Sequence, residues 1–270
     1  MNPGSDVRPP AVAGMFYPAA PAELAEDLRR LLGAAAIPGN ALPAPKAIVV
    51  PHAGYIYSGP IAASVYALLK PVADTIRRVV LLGPTHRVGI NGLALPGVSR
   101  FLTPLGEIEI DQAAVDSLTA LPQVVVADAP HAQEHSLEVQ LPFLQTVLPN
   151  FRLLPLAVGN ATPAMVAQVL ERLWGGAETL IVVSSDLSHY LPYASACQTD
   201  RQTAEQVLAF DSGISHSQAC GATPLNGLLL AARHHHLTPR LVDLRNSGDT
   251  AGDRNRVVGY GGFSFHESPA

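Results

Sequence analysis

Cysteine is nearly absent: Cys197 and Cys220 are the only two in 270 residues. Two thiols make no disulfide framework, and a chain this long buries roughly 70–75% of its unfolded surface, so it needs neither disulfides nor a metal merely to fold. Charge is scarce too. Only 14% of residues are Asp, Glu, Lys or Arg, the net charge is −5, and no Lys/Arg run occurs. Phosphate binding depends on clustered positive charge, so nucleic acid is not an expected partner. The 48% hydrophobic content excludes a solvated, disordered chain and favours a large core. No secretory leader is expected either, because MNPGSDVRPPAVAG has no basic stretch followed by an apolar one. One uncharged stretch, Ala47 to Leu69, is cut by Pro51, Gly54, Gly59 and Pro60 into a strand, a turn and a helix, which is not how a membrane span reads. The expectation is a soluble, cytoplasmic protein with no membrane partner.

What is present alternates. Pro21 to Leu32 reads as a helix, with Leu24, Leu28, Leu31 and Leu32 on one face and Pro21 in its first turn. Helices are also expected at Ile61–Leu69, Gln112–Leu121, Pro163–Leu173, Thr199–Ala209 and Pro224–His236. Another runs through Leu137, Leu141, Leu144 and Leu148 and is kinked at Pro142. Strands are expected at Ala47–Val50, Arg78–Leu82, Val124–Val126, Phe151–Val158, Thr179–Val183, Arg240–Leu244 and Val257–Phe265. Continuous β-branched runs between amphipathic helices predict a largely parallel sheet covered on both faces. No repeat or linker interrupts the pattern, and the Pro/Ala/Gly-rich Ala34 to Pro45 reads as a surface connection. The expected fold is α/β, a single three-layer α/β/α domain over residues 1–270 with a mixed central sheet.

Titratable residues fall at strand ends. His52 follows the first central strand, His86 follows the second in LLGPTH, and Asp186 and His189 follow another in IVVSSDLSH. In open α/β sheets ligands bind beyond the carboxyl ends of the strands, so these groups should converge on one cleft. Two histidines plus an anionic ligand make a metal site with open positions for substrate. Cys220, Asp186 and Glu138 are the candidates for the third ligand. Thr223 suits the cap of a helix starting at Pro224, which would set the Cys220 thiol near a helix N-terminus that favours thiolate. His135, in HAQEHSLE, could face the same cleft. The run His234-His235-His236 fits a solvated helix C-terminus better than a metal tag, because adjacent helical residues point in different directions. His131, His216 and His266 read as structural. Tyr55 and Tyr57 either line the pocket or pack. Gly248 to Gly262 reads as a loop before the last strand, with Asp249 and Arg254 as solvated groups or substrate contacts.

PHAGYIYSG, LLGPTH, EHSLEVQLPF, SSDLSHY, CGATP and NSGDTAGDRNRVVGYGGF follow one another in an order that resembles the Memo-like family. Its prokaryotic members are called AmmeMemoRadiSam system protein B. The resemblance spans Val12 to the C-terminus and implies a fold like that of the class III extradiol ring-cleavage dioxygenases. Those enzymes hold non-haem Fe(II) with two histidines and a glutamate. Carried over, the metal ligands are His52, His86 and Cys220, while His135, Asp186 and His189 match pocket residues with catalytic roles. A thiolate in place of a carboxylate suits copper or zinc as well as iron(II).

Three functions follow as expectations. The first is a metal-dependent redox enzyme acting with O₂ on a small molecule, with His135 or His189 moving the proton. The second is a non-catalytic adaptor for a peptide, or for a radical-SAM protein and a second small partner. The third is a Cys-His hydrolase with Cys220 as nucleophile, His189–Asp186 as base and orienter, and Gly221 at an oxyanion hole.

Overall fold

The structure, a computed structural model, describes residues 6–35 and 44–267. Most of the expected Ala34–Pro45 connection therefore lies outside the described residues. The elements in chain order are β1 (Val7–Arg8), α1 (Pro21–Ala34), β2 (Pro45–Val50), α2 (Tyr55–Tyr66), β3 (Arg78–Pro84), β4 (Leu93–Leu95), β5 (Arg100–Thr103), β6 (Gly106–Glu109), α3 (Gln112–Leu118) and β7 (Val124–Val126). They continue with α4 (Ala129–Ala132), α5 (Leu141–Val147), β8 (Arg152–Val158), α6 (Pro163–Leu173), β9 (Thr179–Ser184), β10 (His189–Leu191), α7 (Tyr193–Leu208), α8 (Ala222–His234), β11 (Thr238–Asn246) and β12 (Val257–His266).

The main sheet runs β10-β12-β2-β9-β3-β8-β4-β7, with β11 also paired to β12. The four central strands, β2, β9, β3 and β8, are mutually parallel. Their sequences, PKAIVV, TLIVVS, RVVLLGP and RLLPLAV, are buried almost throughout, as strands covered on both faces must be. The outer strands β12 and β4 are antiparallel to their central neighbours. Helices α1, α2 and α5 pack together over the sheet, while α6 and α8 form a second pair, with α3 against α6 and α8 on β3 and β9. A separate three-stranded sheet, β1-β5-β6, escapes a reading based on pattern because its strands are two to four residues long.

Three local expectations are corrected. Helix α2 starts at Tyr55, not Ile61, so Gly59 and Pro60 lie inside it. Gly59 is the contact point with α1, where a Cβ would press on Leu31 at 3.0 Å, and that packing outweighs the local helix-breaking signal. Pro142 does not kink a long helix. Glu138–Gln140 form a 3₁₀ turn, and Pro142 sits in the first turn of α5, where its missing N–H is an orphan anyway. Thr223 lies within α8, whose N-cap is Gly221, and its hydroxyl meets His216 Nε2 at 3.2 Å.

The N-terminal segment is fastened by one buried ion pair. Arg8 Nη1 donates to Glu138 Oε2 at 2.5 Å, both side chains being fully enclosed. Glu138 also accepts from the backbone N–H groups of Ala11 and Val12 and from the Tyr17 hydroxyl. With its oxygens committed this way, Glu138 is a structural anchor and not a third metal ligand. Among the described residues no helix is long and apolar enough to cross a membrane.

Candidate metal centre

Strand order brings the expected groups together. β9 lies between β2 and β3, in register, with Val50 beside Ser184 and Leu82 beside Val183. His52 stands two residues beyond β2 and His86 two beyond β3, so they flank the exit of β9, which carries Ser184, Ser185 and Asp186. Cys220 arrives from the turn before α8, its backbone N–H donating to Asp186 O at 3.2 Å. One donor atom each from His52, His86 and Cys220 lies within 4.8 Å of the others. The Cys220 Sγ to His52 Nε2 distance is 3.3 Å.

The hydrogen bonds behind the imidazoles assign their protons. Ser184 Oγ has one hydrogen, given to Ser136 O at 2.6 Å. It must therefore accept from His52 Nδ1 at 2.9 Å, which leaves the lone pair of His52 on Nε2, facing Cys220. His86 Nδ1 donates to Glu134 Oε1 at 2.8 Å, so Nε2 is the ring nitrogen left for a metal. Two imidazoles held from behind, together with a thiol, form a donor set that suits a soft or borderline transition metal.

Burial sets the electrostatics. It pushes the His52 pKa well below the ordinary imidazole value, and the neighbouring His135, His86 and His189 push the same way. Burial raises the Cys220 thiol to about 12, with the nearby Asp186 carboxyl adding to the shift. The expected helix-promoted thiolate is thus corrected: in the apoprotein the thiol keeps its proton, and a metal would displace it. Burial alone would raise Glu134, but the hydrogen bonds from His86 outweigh it and hold the carboxyl at about 2. Burial lifts Asp186 to about 7 against the pull of its backbone hydrogen bonds.

The remaining expected residues take distinct places. His135 stacks on His86 with ring centroids 4.6 Å apart and stands edge-on to His52 at 5.4 Å. Phe16 covers it at 4.7 Å, and burial lowers its pKa to about 4. Asp186 lies behind His52, accepting its backbone N–H at 2.7 Å, and so builds the turn that aims the imidazole. His189 Nδ1 donates to Leu187 O at 2.8 Å, and the next residue, Tyr190, holds a left-handed φ of 59° at a bulge. Among the described residues the imidazole hydrogen-bonded to the thiol is that of His52, whereas the hydrolase expectation used His189. Tyr55 packs, donating to Val139 O, whereas Tyr57 is partly exposed, at 39%. Asp249 and Arg254 bind Tyr193, the former by a 2.7 Å hydrogen bond and the latter over its ring.

Glu134, Ser184 and Gln140 escape a reading of strand-end residues. The signal for Glu134 stands one position before His135 in HAQEHSLE. Gln140 Nε2 donates to both Ser184 Oγ and Pro51 O, tying the two strand ends together. A groove of about 280 Å³ opens on His86 and Cys220, with Pro84, Ile90, Asn160 and His216 among its walls.

The model of the Memo-like protein family matches residues 8–264, a span that includes every residue of this cluster. The chain belongs to the Memo family. A MEMO1 family protein of Methanosarcina barkeri is 39% identical over 269 residues, which cover 94% of this chain and 98% of the relative. One from Archaeoglobus fulgidus is 36% identical, covering 96% and 99%. A crystal structure of an uncharacterized Escherichia coli K12 protein aligns over 79% of this chain and 98% of its own, with a TM-score of 0.46 and 12% identity. That last likeness is too loose to bear on function. Memo-family membership covers the whole site but leaves its chemistry to be argued from the side chains.

Proposed function

We propose that this Memo-family protein is a metal-dependent redox enzyme, with His52, His86 and Cys220 holding one iron(II) or copper ion beside a groove for a small molecule that reacts with O₂. The observation that carries this reading is the convergence of two imidazoles and one thiol, with each Nδ1 engaged from behind. Zinc would fit the same donors but brings no redox chemistry. The bound ion would supply electron transfer that no side chain here offers.

The other tasks fall to the protein. Glu134 and Ser184 engage Nδ1 of the two imidazoles and so reserve Nε2 for the ion. His135, neutral above its lowered pKa of about 4, accepts a proton from a substrate hydroxyl. His189, with Nδ1 committed to Leu187, offers Nε2 for the same purpose. Asp186, raised to about 7, can hold a proton near neutral pH. Pro84 and Ile90 give the groove an apolar wall for the body of a small molecule.

The test is metal analysis after anaerobic loading with Fe(II) or Cu(I), comparing the parent with His86→Ala and Cys220→Ser, each checked for folding by circular dichroism. About one equivalent in the parent, lost in both variants, is expected from the loss of a ligand. Equal metal in all three would overturn the reading.

An adaptor function is the second reading, favoured by one observation. Met15 and Ile56, both strongly exposed, line a groove with Phe16, whose ring covers His135. A peptide, or a radical-SAM protein with its small partner, could dock there. Loss of co-purification on Ile56→Glu, with metal binding intact, is its expected signature.

A further inference from the structure

A second group of ligand-type side chains lies on the outer surface, where α6 and α8 end. Glu171, in the last turn of α6, accepts two hydrogen bonds from imidazoles, one at each oxygen. His234 Nδ1 reaches Oε1 at 3.0 Å and His235 Nε2 reaches Oε2 at 2.8 Å. The two histidines do lie at an exposed helix C-terminus, but they do not diverge, because α8 stops at His234 and His235 is its C-cap. The chain turns there, and both rings swing to one carboxylate on the neighbouring helix.

Three features go beyond a pair of surface hydrogen bonds. The three donor atoms lie within 4.8 Å of one another. His235 is stacked on Trp174, with centroids 3.8 Å apart and planes 7° from parallel, so one ligand ring is already immobilised. The group also sits at the C-terminus of α8, where the negative end of the helix dipole favours a cation.

We propose that Glu171, His234 and His235 form a second metal site, separate from the His52/His86/Cys220 cluster, that binds a divalent transition ion such as Ni²⁺ or Zn²⁺ and clips α6 to α8. Metal–ligand bonds of about 2.0–2.2 Å place neighbouring ligand atoms roughly 3.3 Å apart on a tetrahedral ion. Opening the present 2.8 and 3.0 Å contacts to that separation needs only small rotations of partly exposed side chains. Each imidazole presents its inner nitrogen to the ion once the proton there has left to solvent or moved to the outer nitrogen, and no redox step is involved. The open side leaves room for water ligands. Imidazole nitrogen selects Ni²⁺, Cu²⁺ and Zn²⁺ over Mg²⁺ and Ca²⁺.

The test uses untagged protein carrying His86→Ala and Cys220→Ser, so that failure of the first centre cannot be mistaken for failure of this one. Calorimetric titration with Ni²⁺ should show about one saturable equivalent, weakened about tenfold or more by adding either His235→Ala or Glu171→Gln. Should the doubly substituted protein not fold, the parent is compared with His234→Ala/His235→Ala, which should bind one equivalent of Ni²⁺ fewer. Absence of saturable binding, or a change of less than twofold on removing Glu171 and His235, would overturn the proposal.

Discussion

Glu134 shows how much of the candidate centre rests on a single side chain behind His86. Its carboxylate accepts His86 Nδ1–H, the His86 backbone N–H, and the N–H groups of His135 and Ser136. It therefore sets the position, tautomer and backbone of one ligand and the start of the segment that carries His135. Glu134→Gln keeps the size but presents an amide N–H to groups that are all donors. Metal affinity, measured by competition with a chromogenic chelator, should fall about 10–100-fold, as when a partner behind a ligand is lost. An affinity within twofold of the parent would mean that His86 is oriented by something else. The two candidate histidines, His52 and His86, are legible in the sequence because histidines at strand ends are conspicuous, whereas Cys220 is singled out only by the family resemblance. Glu134 is not legible there, because a carboxylate beside a histidine looks like any surface charge until the fold buries it.

At the level of elements, β12 decides where the His189 segment lies. Gly259 exchanges backbone hydrogen bonds with both Leu187 and Ser188. A Cβ at Gly259 would land on the Asp200 carboxylate of α7, whose Oδ1 accepts the Ser188 N–H at 3.0 Å. Gly259→Ala must displace Asp200 and release that N–H, with a stability loss of about 1–3 kcal/mol expected from overpacking. Urea denaturation measures it directly, and a loss below about 0.5 kcal/mol would mean that α7 moves aside freely. The buried central strands were readable because continuous β-branched runs have few other uses. The strands β4, β5 and β6 were not, since three or four residues carry too little pattern and their pairing depends on distant chain.

For the molecule as a whole, buried neutral histidines should govern acid stability. His131 donates from Nε2 to Ala94 O at 3.0 Å, while its buried Nδ1 has no hydrogen-bond partner. Burial lowers its pKa from 6.5 to about 4. A lowered pKa means that the unfolded chain binds the proton more readily. The stabilising contribution is therefore complete above 6.5 and is lost as pH falls through 4. A shift of this size corresponds to roughly 3 kcal/mol. Asp186 acts in the opposite sense, because its raised pKa of about 7 gives stability that is present below 3.8 and lost as pH rises through 7. Comparison between variants isolates the histidine. His131→Gln should lose less stability than the parent between pH 6.5 and 4, measured by urea midpoints. Parallel pH curves would show that His131 titrates normally.

Taken alone, the sequence determined the alternation of strands and helices, the largely parallel centre of the sheet and the family. It also determined that His52, His86 and Asp186 stand at strand ends. These follow from local chemistry: β-branched runs, helical periodicity, and the Pro and Gly residues that stop a strand. Only the tertiary structure decided that β9 runs between β2 and β3, which brings His52, His86 and Cys220 onto one point. It also removed Glu138 from the ligand candidates by wrapping the N-terminal segment around it, kept the Cys220 thiol protonated, and turned His234 and His235 towards Glu171. Each of those outcomes depends on burial or on a partner distant in the chain, and neither can be read from neighbouring residues.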